Sequence, residues 1–384
     1  MNPRRRRARE GGPFILVLSA TYGGGHQRVA KALRAAWHEA RPGCRVEIVD
    51  FFETFVNRAV NRLTRSLYVH SVRYAPSAWG AFYYATGNIR PDSPTQRLIN
   101  RLGKGRLLRH IQQHRPDLLV HVHPTPGGVT SDLKAEGKVE QPSAVVITDY
   151  AIHSQWIHPH VDRYCVASEE VRQGLVDRGI PSDRVFVTGI PIAPEFTVSL
   201  DRREVAPRLG LDPNRTTILV MAGAYAMLGG ITDVHRVILD LAHRVQAVFI
   251  CGQDPGLVER LRHRSRRRPD IRIEGYVTNV AEWMTCSDLL VTKAGGVTVS
   301  EALAKELPMV IYRPIPGQEE WNARMLTSGG AARIAKDTLE LARVLDGLLR
   351  DPAQLEAMRA AARRLGRPHA ARDAARLILE LLAR

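Results

Sequence analysis

The sequence predicts an α/β protein built from two doubly wound domains, and three observations carry that prediction. The chain has 384 residues, more than one hydrophobic core commonly serves, and 44% of them are hydrophobic. Short apolar runs alternate with stretches of helical periodicity along its length. A strand followed by a glycine-rich turn opens each half: "FILVLSATYGGGHQRVAKAL" from Phe14 and "TTILVMAGAYAMLGG" from Thr216.

Taken in order, residues 1–13 form a basic terminus, expected to be disordered, with "FILVL" too short for a usual signal peptide. "FILVLS" (14–19) reads as a buried strand, "QRVAKALRAAWHEA" as a helix and "CRVEIVD" as the second strand. "DLLVHVHP" (117–124), "PSAVVITDY" (142–150), "RYCVAS" and "RVFVTGIP" continue the series, and proline-rich "PIAPEF" (191–196) closes it. In the second series, strands are expected at "TTILVM", "AVFICG", "IRIEGY", "DLLVTKAGG" and "MVIYRPIP". The domains are therefore placed at 14–200 and 201–365. Residues 366–384 carry an amphipathic helix, "AARDAARLILELLAR", whose candidate partner is the first domain.

The net charge is +16, and its location is informative. Residues 1–115 hold 21 Lys/Arg against 6 Asp/Glu; the remainder holds 34 against 33. Such asymmetry points to a polyanionic partner, either an anionic membrane surface or nucleic acid, with solvated basic faces as the plain alternative. Residues 51–90 sharpen the choice. Phe52, Phe55, Val56, Ala59, Val60, Leu63 and Leu67 recur at helical spacing among Arg58, Arg62, Arg65 and Arg73, ahead of Tyr74, Trp79, Phe82, Tyr83 and Tyr84. A basic, aromatic amphipathic segment suits a membrane interface. No apolar run approaches the length of a spanning helix. The four cysteines lack paired spacing and read as reduced thiols of a cytoplasmic protein.

The candidate chemistry lies at the two glycine turns. In "DLLVTKAGGVTVSEALAKEL", Gly295 and Gly296 precede a helix whose first-turn N–H groups and dipole suit a phosphate. Val297 belongs to that turn, Thr298 adds a hydroxyl, and Glu301, one turn in, suits ribose hydroxyls. In "PIPGQEEWN", stiffened by Pro314 and Pro316 and turned by Gly317, Gln318, Glu319 and Asn322 form an acceptor-rich loop suited to a sugar. In the first half, Gly23 and Gly25 have the G-x-G spacing of a dinucleotide turn, but Arg28 occupies the third glycine position and opposes a nicotinamide site. His26 stands at the start of that helix, where an imidazole can take a proton from a hydroxyl. Asp149 ends a strand at the same edge, as a base or as the group that orients one. His121 and His123 alternate on a strand as some metal ligands do, but the rest of such a site is not evident. No metal and no cofactor are expected.

"YGGGHQRVAKAL", "ITDYAIHSQWIHPHVDRYCVAS", "VTGIPIAPEF", "GYVTNVAEWM" and "TKAGGVTVSEALAKELPMVIYRPIPGQEEWNA" follow one another as in diacylglycerol glycosyltransferases. The sequence resembles the bacterial processive diacylglycerol glucosyltransferases and the plant monogalactosyldiacylglycerol synthases over most of residues 14–335; the peptidoglycan GlcNAc transferase acting on lipid I is a more distant relative. The resemblance implies a GT-B fold, two Rossmann-like domains facing across a cleft, and inverting transfer from a UDP-sugar to a diacylglycerol hydroxyl at an anionic membrane surface. It implies His26 as general base; Gly23, Gly24 and Gly25 as its loop; and Gly295, Gly296 and Thr298 as the diphosphate turn. Glu301 then meets the ribose, Gln318, Glu319 and Asn322 the donor sugar, and Gly223 the second domain's first glycine turn. Gly24 stands where relatives can carry Asn. The implied location is cytoplasmic, peripheral on the inner face of the cell membrane. Three alternatives stay open. A UDP-GlcNAc transferase or 2-epimerase would share the fold, a nicotinamide enzyme is opposed by Arg28, and a nucleic-acid binder lacks a recognition motif.

Overall fold

The structure is a computed structural model and describes residues 12–21, 24–57, 62, 75–87, 89, 93–223, 228, 230–241 and 243–383. The basic terminus up to residue 11, Gly23, and Ala59, Val60, Leu63, Leu67 and their arginines Arg58, Arg65 and Arg73 lie outside the described residues.

Strands buried on both faces need continuous apolar runs, and those runs form the strands here. The first half comprises β1 (Phe14–Ser19), α1 (Gly25–Ala40), β2 (Arg45–Asp50), α2 (Phe51–Phe55), α3 (Pro76–Thr86), α4 (Pro94–Asn100) and α5 (Lys104–His114). It continues with β3 (Leu118–His121), α6 (Pro124–Ala135), β4 (Ser143–Val146), β5 (Arg163–Val166), α7 (Glu169–Val176) and β6 (Val185–Val187). Its parallel sheet has the order β2-β1-β3-β4-β5-β6. His123, expected within a strand, instead caps α6, because Pro124 suits the first turn of a helix and ends the strand before it.

The second half comprises α8 (Arg202–Arg208), β7 (Thr217–Met221), α9 (Ile231–Leu241), β8 (Gln246–Ile250), α10 (Pro255–Ser265), β9 (Ile271–Glu274) and α11 (Val280–Thr285). Then come β10 (Leu289–Thr292), α12 (Gly296–Ala304), β11 (Met309–Tyr312), α13 (Gln318–Ser328), β12 (Ala332–Ala335), α14 (Thr338–Arg350), α15 (Pro352–Leu365) and α16 (Ala370–Leu379). Its parallel sheet runs β12-β11-β10-β7-β8-β9, the nucleotide-binding order with its reversal between β7 and β10. The edge strand β12 was not anticipated: "ARIA" is four residues long and half of it is only partly buried.

The last helix leaves the second half. Trp37 of α1 is fully buried and its indole N–H donates to the Ala375 carbonyl of α16 at 3.1 Å. Ala374 and Ile378 join the first half's core, and Arg163 binds the Leu377 carbonyl and, at 3.1 Å, Glu380. The glycine turns follow β1, β7 and β10, strands that flank the order reversals, whereas Asp149 lies beyond the end of β4 and Gln318, Glu319 and Asn322 lie beyond β11.

Candidate active site

After β1 the chain turns through Gly24, at φ 80°, and α1 starts with no side-chain cap. His26 lies in its first turn. Its Nδ1 is 3.2 Å from Thr148 Oγ1, and its ring meets the His123 ring edge-on at 4.9 Å. Burial pushes the imidazole down to about 4, against a smaller upward pull from the Val122 carbonyl. His26 is therefore neutral near pH 7 and able to accept a proton.

Across the cleft, the start of α12 presses against this region. Val297 packs into the first half's core, and a Cβ at Gly25 would lie 3.5 Å from it. A Cβ at Gly296 would overlap the Thr148 carbonyl oxygen, so this glycine permits a backbone approach between domains. Gly295 differs: a Cβ there would meet no described atom within 4 Å. Gly295 is also the N-cap of α12 and provides no side-chain cap. Beside it, Gly223 (φ 78°) packs toward Lys293, whose ammonium pairs with Glu319. The start of α12 at Gly295 is therefore clear of described side chains, while Gly296 and Val297 form the domain contact.

The acids and amides differ from the expected open lining. Gln318, Glu319 and Asn322 belong to α13, not a loop, because Gly317 (φ 104°) supplies the reversal from which the helix starts. A Cβ at Gly317 would also press within 2.9 Å of the Tyr83 ring of α3, and Tyr84 donates to Glu320 at 2.7 Å, so α3 covers this flank. Gln318 is half-buried and Glu319 buried. Asn322 is fully buried. Its Oδ1 accepts the Tyr150 N–H at 2.8 Å, and its Nδ2 donates to the Ala294 carbonyl at 2.8 Å and to Asp149 at 3.2 Å. Tyr150 and Ser300 hydroxyls add a 2.9 Å bond across the same seam.

Asp149 thus faces Asn322. Burial raises its carboxyl to about 6; the Asn322 bond opposes this, Glu319 adds to it and Lys293 opposes it. Glu301 is 2% exposed, with both oxygens 2.9 Å from Arg28 Nη1. Arg28 Nη2 also donates to Thr298 Oγ1 at 3.0 Å. Burial raises the Glu301 carboxyl, and Arg28 pulls it down.

Sequence reasoning weighed Arg28 only as an obstacle and overlooked Lys293, which directly follows β10 and pairs with Glu319. Thr148 and Tyr150 had no signal, since their partners lie over a hundred residues away. Among the described residues no group of three His, Cys, Asp or Glu side chains is arranged to hold a metal ion.

Residues 26–192 match the family model for monogalactosyldiacylglycerol (MGDG) synthase, and residues 217–378 match that for the glycosyltransferase family 28 C-terminal domain. The processive diacylglycerol beta-glucosyltransferase of Staphylococcus carnosus is 33% identical over 90% of this chain and 86% of its own length. Among solved structures, MurG of Acinetobacter baumannii superimposes with a TM-score of 0.63 at 16% identity, covering 96% of this chain and 100% of its own. UDP-GlcNAc 2-epimerase from Neisseria meningitidis, bound to UDP-GlcNAc, gives 0.61 at 14% identity, covering 96% and 99%. The fold is GT-B, and transferases and epimerases share it.

Proposed function

Because this chain belongs to the family of the monogalactosyldiacylglycerol synthases and processive diacylglycerol beta-glucosyltransferases, and is a UDP-sugar glycosyltransferase, we propose that it moves glucose or galactose from a UDP-sugar to the hydroxyl of diacylglycerol, with inversion, on an anionic membrane surface. One observation carries the reading: His26, at the first sheet's reversal, lies against Thr148, whose carbonyl packs on Gly296 at the uncapped start of α12 in the second.

The lipid hydroxyl oxygen attacks C1 of the sugar as its proton passes to His26. The bond from C1 to the diphosphate oxygen breaks on the opposite face, so the anomeric configuration inverts. The departing UDP gains charge, which the α12 N–H groups, Gly295 and Lys293 stabilise. Asp149 acts through Asn322, holding the two domains in register. Gln318 and Glu319 lie toward the sugar. The fold alone does not separate this reaction from epimerisation; family membership favours transfer.

The acceptor comes from the membrane side of the first domain. Helix α4 has an inverted face: Gln96 and Asn100 are buried and bonded to each other at 3.0 Å, while Leu98 is 65% exposed. Leu102 and, on α3, Phe82 are also exposed, as are Arg97 and Arg101, next to Leu98 and Leu102 in the chain. Apolar side chains facing outward among arginines suit a lipid interface. Among the described residues no helix is long and apolar enough to cross a membrane. The protein then sits peripherally on the inner face of the cell membrane.

The test is incubation with diacylglycerol in anionic liposomes and, separately, UDP-glucose or UDP-galactose, with products read by mass spectrometry. A glycolipid formed from one donor and abolished in H26A supports the reading. UDP release without glycolipid, or no reaction with either donor, overturns it.

A further inference from the structure

The expected ribose partner, Glu301, is nearly closed to solvent because a cation from the other domain lies on it. Arg28 reaches from α1, two residues after His26, and its Nη1 stands 2.9 Å from both Glu301 oxygens. Its Nη2 donates to Thr298, in the first turn of α12. The guanidinium therefore sits at the positive end of a helix dipole, where a cation is disfavoured unless an anion joins it. Glu301 supplies one negative charge; Lys293, on the same side, already engages Glu319. The Arg28 side chain remains 44% exposed, and among the described residues only part of its five-donor fork is committed. If ribose hydroxyls bind Glu301, the guanidinium gives up that partner, and the nearest group that can take its charge is a diphosphate bound at the α12 N-terminus.

We propose that Arg28 is a donor-binding residue: parked on Glu301 and Thr298, it transfers to the diphosphate when a nucleoside diphosphate places its ribose on Glu301. The inference rests on the UDP-sugar reading above. The diphosphate is then held from both domains, and donor binding draws them together. Glu301 gives up the guanidinium for neutral hydroxyls, and the guanidinium gains a dianionic group.

The test compares UDP and uridine binding to wild type, R28Q and R28K by calorimetry, directly and by displacement. R28Q is expected to bind UDP at least about tenfold more weakly, the scale of a lost charge-assisted hydrogen bond. Its uridine affinity should be unchanged or higher, since ribose no longer has to displace the guanidinium. R28K should recover part of the UDP affinity. A purely structural Arg28 would change both affinities together. If R28Q binds UDP as tightly as wild type or tighter, the assignment falls and Arg28 merely competes for Glu301. A folded wild type that fails to bind UDP would instead overturn the donor reading itself, and this inference with it.

Discussion

The Asn322 side-chain oxygen accepts the Tyr150 backbone N–H at 2.8 Å, joining residues 172 positions apart across the two domains. The same amide group donates to Asp149 and to the Ala294 carbonyl inside a buried seam. Asn322→Ala leaves a buried N–H and a buried carbonyl without partners. It should cost about 2–4 kcal/mol, read as a lower urea midpoint. A change below about 0.5 kcal/mol would show that the seam is not fastened there.

Adjacent glycines are expected to respond oppositely. Gly296→Ala forces a methyl into the Thr148 carbonyl and should destabilise by about 1–3 kcal/mol or more, with loss of activity. Gly295→Ala meets no described protein atom, so stability should hold while the donor KM rises severalfold. Equal effects on both quantities at both sites would refute the division between domain contact and donor opening.

His26→Ala should lower kcat by about 10²–10⁴ and leave UDP affinity within twofold, roughly 0.4 kcal/mol. Binding calorimetry beside the glycolipid assay separates the two. A parallel fall in UDP affinity would move His26 from proton transfer to donor binding.

The rate should also report Asp149. Its carboxyl, raised to about 6, is ionised at neutral pH and takes a proton as pH falls through 6. The Asn322 amide donates to the ionised form, so kcat/KM should decline below about pH 6. In Asp149→Asn that limb should vanish, leaving only the decline from His26 near 4. A limb at 6 that persists in the variant would assign it elsewhere.

Acid should weaken the fold through buried histidines. His121, His158 and His235 are 0%, 3% and 1% exposed, and burial lowers them to about 3, 4 and 4. The unfolded chain binds more protons between those values and 6.5, so their contribution is fully present above 6.5 and is lost as pH falls toward 4. Each ring can contribute up to about 1.4 kcal/mol per pH unit. Asp149 and Glu301, both raised by burial, act in the opposite sense, but two carboxyls do not offset these three rings together with His26 and His123, which burial also lowers. Urea midpoints at pH 7.5 and 5 check this, and equal midpoints would contradict it.

The strands were legible because a strand buried on both faces must be apolar along its length, as Phe14–Leu18 and Leu289–Val291 are. The glycine turns were legible for a related reason: a chain that must turn and start a helix beside a ligand selects small residues. β12 was missed because an edge strand of four residues needs no such run. Gln318 and Asn322 were read as loop residues because two prolines and a glycine precede them, yet those residues only deliver the chain to the start of α13.

Local composition and order by themselves determined two parallel α/β halves, a glycine turn at the head of each, a histidine beside one and a helix start beside the other. They also concentrated the positive charge in the first 115 residues. The tertiary structure alone decided which of these groups meet. It set Gly296 against Thr148, Arg28 against Glu301 and Asn322 against Asp149 and Tyr150. Those pairs lie over a hundred residues apart, and no local periodicity encodes them. They arise because two sheets turn the same ends toward one cleft, and what is buried there must find its partners in the other domain.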